Sequence, residues 1–85
     1  MTKVKDIKIY TTATCVYCKA EKEYLTKNKV AFTELHADTD QALAEELYNK
    51  SGQLGVPFTV ITKEDGSEEG ILGFDQPRLQ AALGL

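Results

Sequence analysis

Cys15 and Cys18, within TTATCVYCKAEKEYL at positions 11–25, are the only cysteines of the 85-residue chain. Their spacing admits three chemistries: a structural disulfide, part of a metal site, or a redox pair. A bridge this short closes almost no loop and restrains the unfolded chain little, which argues against a staple. A structural zinc site needs four ligands. The pair supplies two, and His36, the only histidine, would bring one chain to three. No metal site is therefore expected, and His36 reads as a surface or strand-edge residue. A cluster shared between two chains stays open. A redox pair needs the two sulfurs to meet, as they do at i and i+3 on the first turn of a helix. The first sulfur then lies beside unpaired backbone N–H groups and the positive end of the helix dipole. That setting favours a thiolate at Cys15, the expected nucleophile, with Cys18 shielded one turn deeper as the resolving thiol. Lys19 is expected to be solvated, with at most a small electrostatic part in this.

The surrounding pattern supplies the elements that would place the pair. IKIYT at 7–11 alternates apolar and polar residues and predicts a strand. From Cys15 to about Asn28 the period becomes helical, with Tyr17, Cys18, Ala20, Tyr24 and Leu25 expected on one face. VAFTELHA at 30–37 predicts a second strand. ADTD then offers capping residues for QALAEELYNK, whose stripe is Leu43, Ala44, Leu47 and Tyr48 and whose stop is Gly52. FTVIT at 58–62 and EGILG at 69–73 predict a hairpin closed by KEDGSEE, where Gly66 is free to take positive φ. A short last helix follows, capped by Asp75, with Pro77 in its first turn and Leu79, Ala82 and Leu83 facing inward. The order is βαβαββα. Its first half implies a parallel pair with a right-handed crossover, and its second half an antiparallel hairpin. A cysteine pair directly after the first strand of a βαβ unit is a redox signature.

Composition narrows the classes further. With 42% hydrophobic and 27% charged residues and a net charge of −3, one small globular domain over residues 1–85 is expected. The basic residues are scattered, so no nucleic-acid partner is implied. No apolar run approaches the length of a membrane span, and the leading MTKVKDIKIY lacks the apolar core of a signal peptide. The expected location is the cytosol, where structural disulfides are rare. The default state is a monomer.

Pro57, in SGQLGVPFTVI, precedes a strand that should be central, so it marks a strand start or a special turn. With CVYC after the first strand, GVP before the third and GFD before the last helix, the chain resembles the glutaredoxin-like small redoxins of the thioredoxin superfamily. Within them it is most similar to the branch of NrdH-redoxins and YruB-type proteins. The resemblance runs over essentially the whole chain. It implies a thioredoxin fold: α/β, a four-stranded mixed sheet with three helices. It also implies a cis bond before Pro57, placed beside the cysteines. The backbone of Val56 would pair with substrate, and Tyr17 would border the groove. Gly73, Phe74 and Asp75 would shape the groove's far side, with core packing and helix capping as competing roles for the last two.

The resemblance implies a thiol–disulfide oxidoreductase with no bound cofactor, but the sequence departs from glutaredoxins proper where glutathione is held. Thr12 and Leu54 stand where a basic residue, or for Leu54 also a glutamine, usually contacts a carboxylate. Leu72-Gly73 replaces a Gly-Gly pair, and Gln76 replaces an acidic residue. Losing charge-assisted contacts should weaken glutathione binding, so glutathione is kept only as an alternative co-substrate. Protein disulfides, of the ribonucleotide reductase or peroxidase type, become the expected substrates. A thioredoxin-reductase-type flavoprotein becomes the expected electron donor. Val16 replaces the proline of C-P-Y-C and adds a backbone N–H near the Cys15 sulfur, which favours a reductant. A dimeric module binding an iron–sulfur cluster through Cys15 is the non-enzymatic alternative.

Overall fold

The computed structural model describes residues 4–85; the first three positions of the MTKVKDIKIY stretch lie outside it. The elements are β1 (Val4–Thr11), α1 (Val16–Lys27), β2 (Thr33–His36), α2 (Gln41–Ser51), β3 (Phe58–Lys63), β4 (Glu68–Leu72) and α3 (Gln76–Leu83). The strands form one sheet in the order β2-β1-β3-β4. β1 pairs parallel with β2 and antiparallel with β3, and β3 pairs antiparallel with β4. No helix among the described residues is long and apolar enough to cross a membrane.

Strand alternation divides the core into two layers. Ile7, Ile9, Ile61 and Ile71 meet Leu25 of α1 and Leu79 and Ala82 of α3 on one face of the sheet. Tyr10, Phe58 and Val60 meet Leu47 of α2 on the other. β1 and β3 lie between neighbours; residues 58–61 of β3 are buried on both faces, whereas β1 keeps Lys5 and Lys8 exposed and is buried on both faces only from Ile9 onward. The Tyr10 hydroxyl donates to Glu46 of α2, tying that helix to β1.

The second strand is shorter than its sequence pattern. Residues 30–32 are not strand, because α1 ends in a Schellman motif. The Val30 N–H donates to the Leu25 carbonyl at 2.9 Å, and the Lys29 N–H to Thr26 at 3.0 Å. Lys29 takes φ 60°, and Val30 turns back onto the core that holds Leu25. The apolar VAF stretch thus closes a helix end before any strand begins. The stripe on α2 is also narrower than its periodicity. Only Leu47 is buried, and Tyr48 is 55% exposed, because the helix meets the sheet along one line. β1 extends back to Val4, and β4 lies one residue earlier than the pattern suggests.

The hairpin shows what packing demands of a glycine. A Cβ on Gly70 would lie 2.7 Å from Cζ of Phe58, and that ring is buried beside Tyr10 with centroids 6.1 Å apart. Gly70→Ala is therefore expected to destabilise the fold by roughly 1–3 kcal/mol through overpacking. The check is a lowered urea midpoint at constant m-value; an unchanged or raised midpoint would show that the ring moves aside freely.

Candidate functional site

β1 delivers the chain to the turn that holds the cysteines. The Cys15 N–H donates to the Thr12 carbonyl at 3.3 Å. The Ala13 N–H donates to Asp38 at 2.9 Å, which anchors the loop from the β2–α2 side. Cys15 is the N-cap of α1, with extended φ/ψ of −83° and 112°. Its sulfur accepts the Cys18 N–H at 3.1 Å, the contact a serine or aspartate makes at an ordinary cap. The amide that reaches the sulfur is that of Cys18, at the third helical position, and not that of Val16. A cap side chain reaches the second or third amide, and Val16 is the first. Negative charge on this sulfur would meet a donor and the positive end of the helix.

The two thiols differ in surroundings. Cys15 is partly exposed, and Cys18 is buried at 1% exposure. Burial, then the hydrogen bond with Cys15, push the Cys18 thiol up to about 12; the charges of Cys15 and Glu21 add to this, and a hydrogen bond with the Thr12 backbone opposes it. At neutral pH Cys18 holds its proton.

Two loops close over the pair. The Val56–Pro57 peptide is cis, and the Cys15 thiol donates to the Val56 carbonyl at 3.7 Å. The Gly73 N–H donates to the Pro57 carbonyl at 2.8 Å. Gly73 does so at φ 77°, a conformation that side-chain-bearing residues adopt only with strain. The structure thus brings Cys15, Cys18, Val56, Pro57 and Gly73 together. Tyr17 stands at the mouth, 68% exposed. Phe74 packs on Tyr24, with ring centroids 5.8 Å apart, against the core layer that holds Leu25 and Leu79. The Asp75 carboxylate accepts the Arg78 N–H at 3.2 Å and caps α3. Val16 at the start of α1, Leu54 in the loop before Pro57 and Leu72 at the end of β4 are exposed apolar side chains. Among the described residues no cluster of three or more His, Cys, Asp or Glu side chains is placed to hold a metal.

Two residues at the site were missed by the sequence reading. The inner face of α1 is Cys18, Glu21 and Leu25, and not a stripe that includes Tyr17. The Thr59 hydroxyl of β3 donates to Glu21 Oε2, and both side chains are fully buried. A carboxylate at the centre of the stripe shifted the apparent apolar face to one side. The available signal was position: Glu21 sits three residues after Cys18 and four before Leu25, the spacing of one helix face.

A four-stranded sheet ordered β2-β1-β3-β4 with helices on both faces, and a cysteine pair where β1 passes into α1, is a thioredoxin-like fold. The structure is similar to that of methanoredoxin from Methanosarcina acetivorans, with a TM-score of 0.81 at 26% identity over 94% of this chain and 85% of that one. The chain belongs to the glutaredoxin family, whose model matches residues 7–65. It is 38% identical over 77 residues to an uncharacterized glutaredoxin-like 8.6 kDa protein in the rubredoxin operon of Clostridium pasteurianum, covering 91% of this chain and 96% of that protein. It is 40% identical over 56 residues to glutaredoxin 3 of Escherichia coli K12, covering 66% of this chain and 68% of that protein. Membership makes the chain a thiol–disulfide oxidoreductase that works through a redox-active cysteine pair.

Proposed function

We propose that the chain reduces protein disulfides in the cytosol, with Cys15 as nucleophile and Cys18 as resolving thiol, and is itself recycled by a flavoprotein disulfide reductase. The observation that carries the assignment of roles is the asymmetry of the pair. Cys15 offers a partly exposed sulfur that faces a backbone N–H, whereas Cys18 is buried and holds its proton. Cys15 attacks one sulfur of the substrate disulfide and releases the other as a thiolate. Cys18 then attacks the Cys15 sulfur and releases the second substrate thiol. Two electrons pass from the pair to the substrate, and a disulfide remains between Cys15 and Cys18.

Tyr17, Val56, Pro57 and Gly73 form the contact surface for the substrate chain, with Phe74 and Asp75 fixing the loop behind it. The choice of a protein over glutathione rests on charge. Thr12, Leu54 and Gln76 present no cation or anion to the ends of a small charged tripeptide, and Leu54 is 62% exposed. Exposed Val16, Tyr17 and Leu54 favour an apolar stretch of polypeptide around the target disulfide. Protein disulfides of the ribonucleotide reductase or peroxidase type are the proposed class.

The experiment supplies NADPH with thioredoxin reductase, or glutathione with glutathione reductase and NADPH, and follows NADPH oxidation with an insulin disulfide as substrate. Turnover with the flavoprotein is expected to exceed turnover with glutathione. Efficient turnover with the glutathione system alone would overturn the choice of donor.

A further inference from the structure

Among the described residues Glu21 is the one acidic side chain wholly withdrawn from solvent. Its Oε2 accepts the Thr59 hydroxyl, and its Oε1 has no hydrogen-bond partner. No cation pairs with it: Lys22, the next residue, turns to Glu34 of β2 at 2.7 Å, and Thr11 donates to the same Glu34 oxygen. Of the elements packed on α1, β2 brings Glu34, which Lys22 and Thr11 already hold, and the others bring only apolar and hydroxyl side chains to this layer. β3 presents Thr59 and Ile61, β1 Ile7 and Ile9, β4 Ile71, and α3 Leu79 and Ala82. Thr59 is flanked across the sheet by Ile9 and Ile71. On α3, Asp75 caps the helix and Arg78 is exposed. The remaining neighbour is Cys18, one turn away on the same buried face, where Cβ atoms lie about 5–6 Å apart. A lone carboxyl in an apolar layer is a liability unless it has work to do.

We propose that Glu21 accepts the proton that Cys18 must lose before it can resolve the mixed disulfide. This rests on the assignment of Cys18 as the resolving thiol. Once Cys15 is bonded to the substrate sulfur, Cys18 is a buried thiol with no solvent to receive its proton. Glu21, as the carboxylate, takes that proton on its unpartnered oxygen. The Cys18 thiolate attacks the Cys15 sulfur, a Cys15–Cys18 bond forms, and the bond from Cys15 to the substrate breaks. The substrate leaves as a thiolate and is protonated by water. Glu21 returns its proton when the pair is next reduced. The buried layer carries one negative charge before and after the transfer, so the charge moves from oxygen to sulfur without a second being buried.

Two supports come from titration. Burial raises the Glu21 carboxyl from 4.5 to about 7, with the Thr59 hydroxyl pulling the other way, so it exchanges protons near neutrality, as a general base should. The hydrogen bond and charge by which Cys15 holds up the Cys18 thiol vanish once Cys15 is in a mixed disulfide. The transfer is therefore easiest in the intermediate that needs it.

The test mixes the reduced full-length protein with an aryl disulfide whose released thiolate is coloured. One equivalent reports attack by Cys15 and the second reports resolution by Cys18. In the parent protein the second phase is expected to accelerate with pH around a midpoint near 7. Glu21→Gln, which keeps the shape and the oxygen facing Thr59, should slow that phase about tenfold or more at pH 8 and remove the midpoint. The first phase serves as the internal reference. Thr59→Val removes the opposing donor and should move the midpoint upward, giving a second reading independent of any change at position 21. Cys18→Ser separates the two levels of the argument. If it still releases both equivalents, the assignment of Cys18 fails. If it stops after one while Glu21→Gln keeps the parent pH profile, or Thr59→Val leaves the midpoint in place, the role of Glu21 is overturned.

Discussion

Cys15→Ser is expected to lower disulfide reduction by about a thousandfold or more, whereas Cys18→Ser should attack once and stop. The first loss follows from the nucleophile: a serine hydroxyl does not ionise near neutrality, and an Oγ–S bond cannot exchange as a disulfide does. The fold should survive, because serine is a preferred N-cap and its oxygen accepts the same Cys18 N–H that the sulfur accepts at 3.1 Å. A loss of activity without a loss of stability then isolates the chemistry. The second variant keeps the partly exposed sulfur of Cys15 and removes the thiol that releases the product. A covalent adduct should accumulate, joined through Cys15 and visible by intact mass. Insulin reduction followed by turbidity measures the first effect and the adduct the second. Parent-level turnover by Cys15→Ser, or an adduct mapped to Cys18 in that variant, would reverse the assignment of roles.

How far the sequence carries this architecture depends on where its information is local. The order βαβαββα is legible because each strand or helix has its own period, and because Asp40, Gly52 and Asp75 mark helix ends by local chemistry. The Ala42 and Leu43 N–H groups donate to Asp40 and the Arg78 N–H to Asp75, and Gly52 ends α2 at φ 79°. The cysteines are legible for the same reason: their meaning needs only the strand before them and the helix after. Three features were not. The end of α1 falls on a lysine in the left-handed region, where composition would favour glycine, so the strand at 30–37 looked longer than it is. Tyr48 follows the period of its helix but lies off the line of contact, which only packing reveals. Glu21 is the clearest case, because its burial depends on Thr59, 38 residues away. Charge pulled the reading of that helix face outward, while the fold placed the carboxylate inside, where local and tertiary preferences conflict. Such conflicts gather at working sites.

That conflict predicts the second large effect. Glu21→Gln is expected to stabilise the protein by roughly 2–3 kcal/mol at pH 8 and to leave it nearly unchanged at pH 4. Burial raises the Glu21 carboxyl from 4.5 to about 7, so the folded state binds this proton more tightly than the unfolded chain does. Below 4.5 both states are protonated and the native contribution is intact. Between 4.5 and 7 the unfolded chain ionises while the native carboxyl still holds its proton, so stability drains away as pH rises, by up to about 1.4 kcal/mol per pH unit. Above 7 the full penalty of a buried, unpaired charge is present. Glutamine does not ionise, and its carbonyl can accept the Thr59 hydroxyl in place of Oε2. Other groups titrate outside this window: Lys22 and Thr11 hold Glu34 below the usual carboxylate range, so it acts in the opposite sense and its contribution is lost only as pH falls below 4.5. The difference between parent and variant cancels these and isolates position 21. Urea unfolding of the reduced proteins at pH 4, 6 and 8 measures it, and a variant less stable than the parent at pH 8 would contradict the argument. The two effects of the substitution then run in opposite directions, slower resolution of the mixed disulfide and a more stable fold. A residue kept only for structure would not show this pairing; a carboxyl held in the core for its proton would, with the stability sacrificed above neutral pH setting the scale of its use.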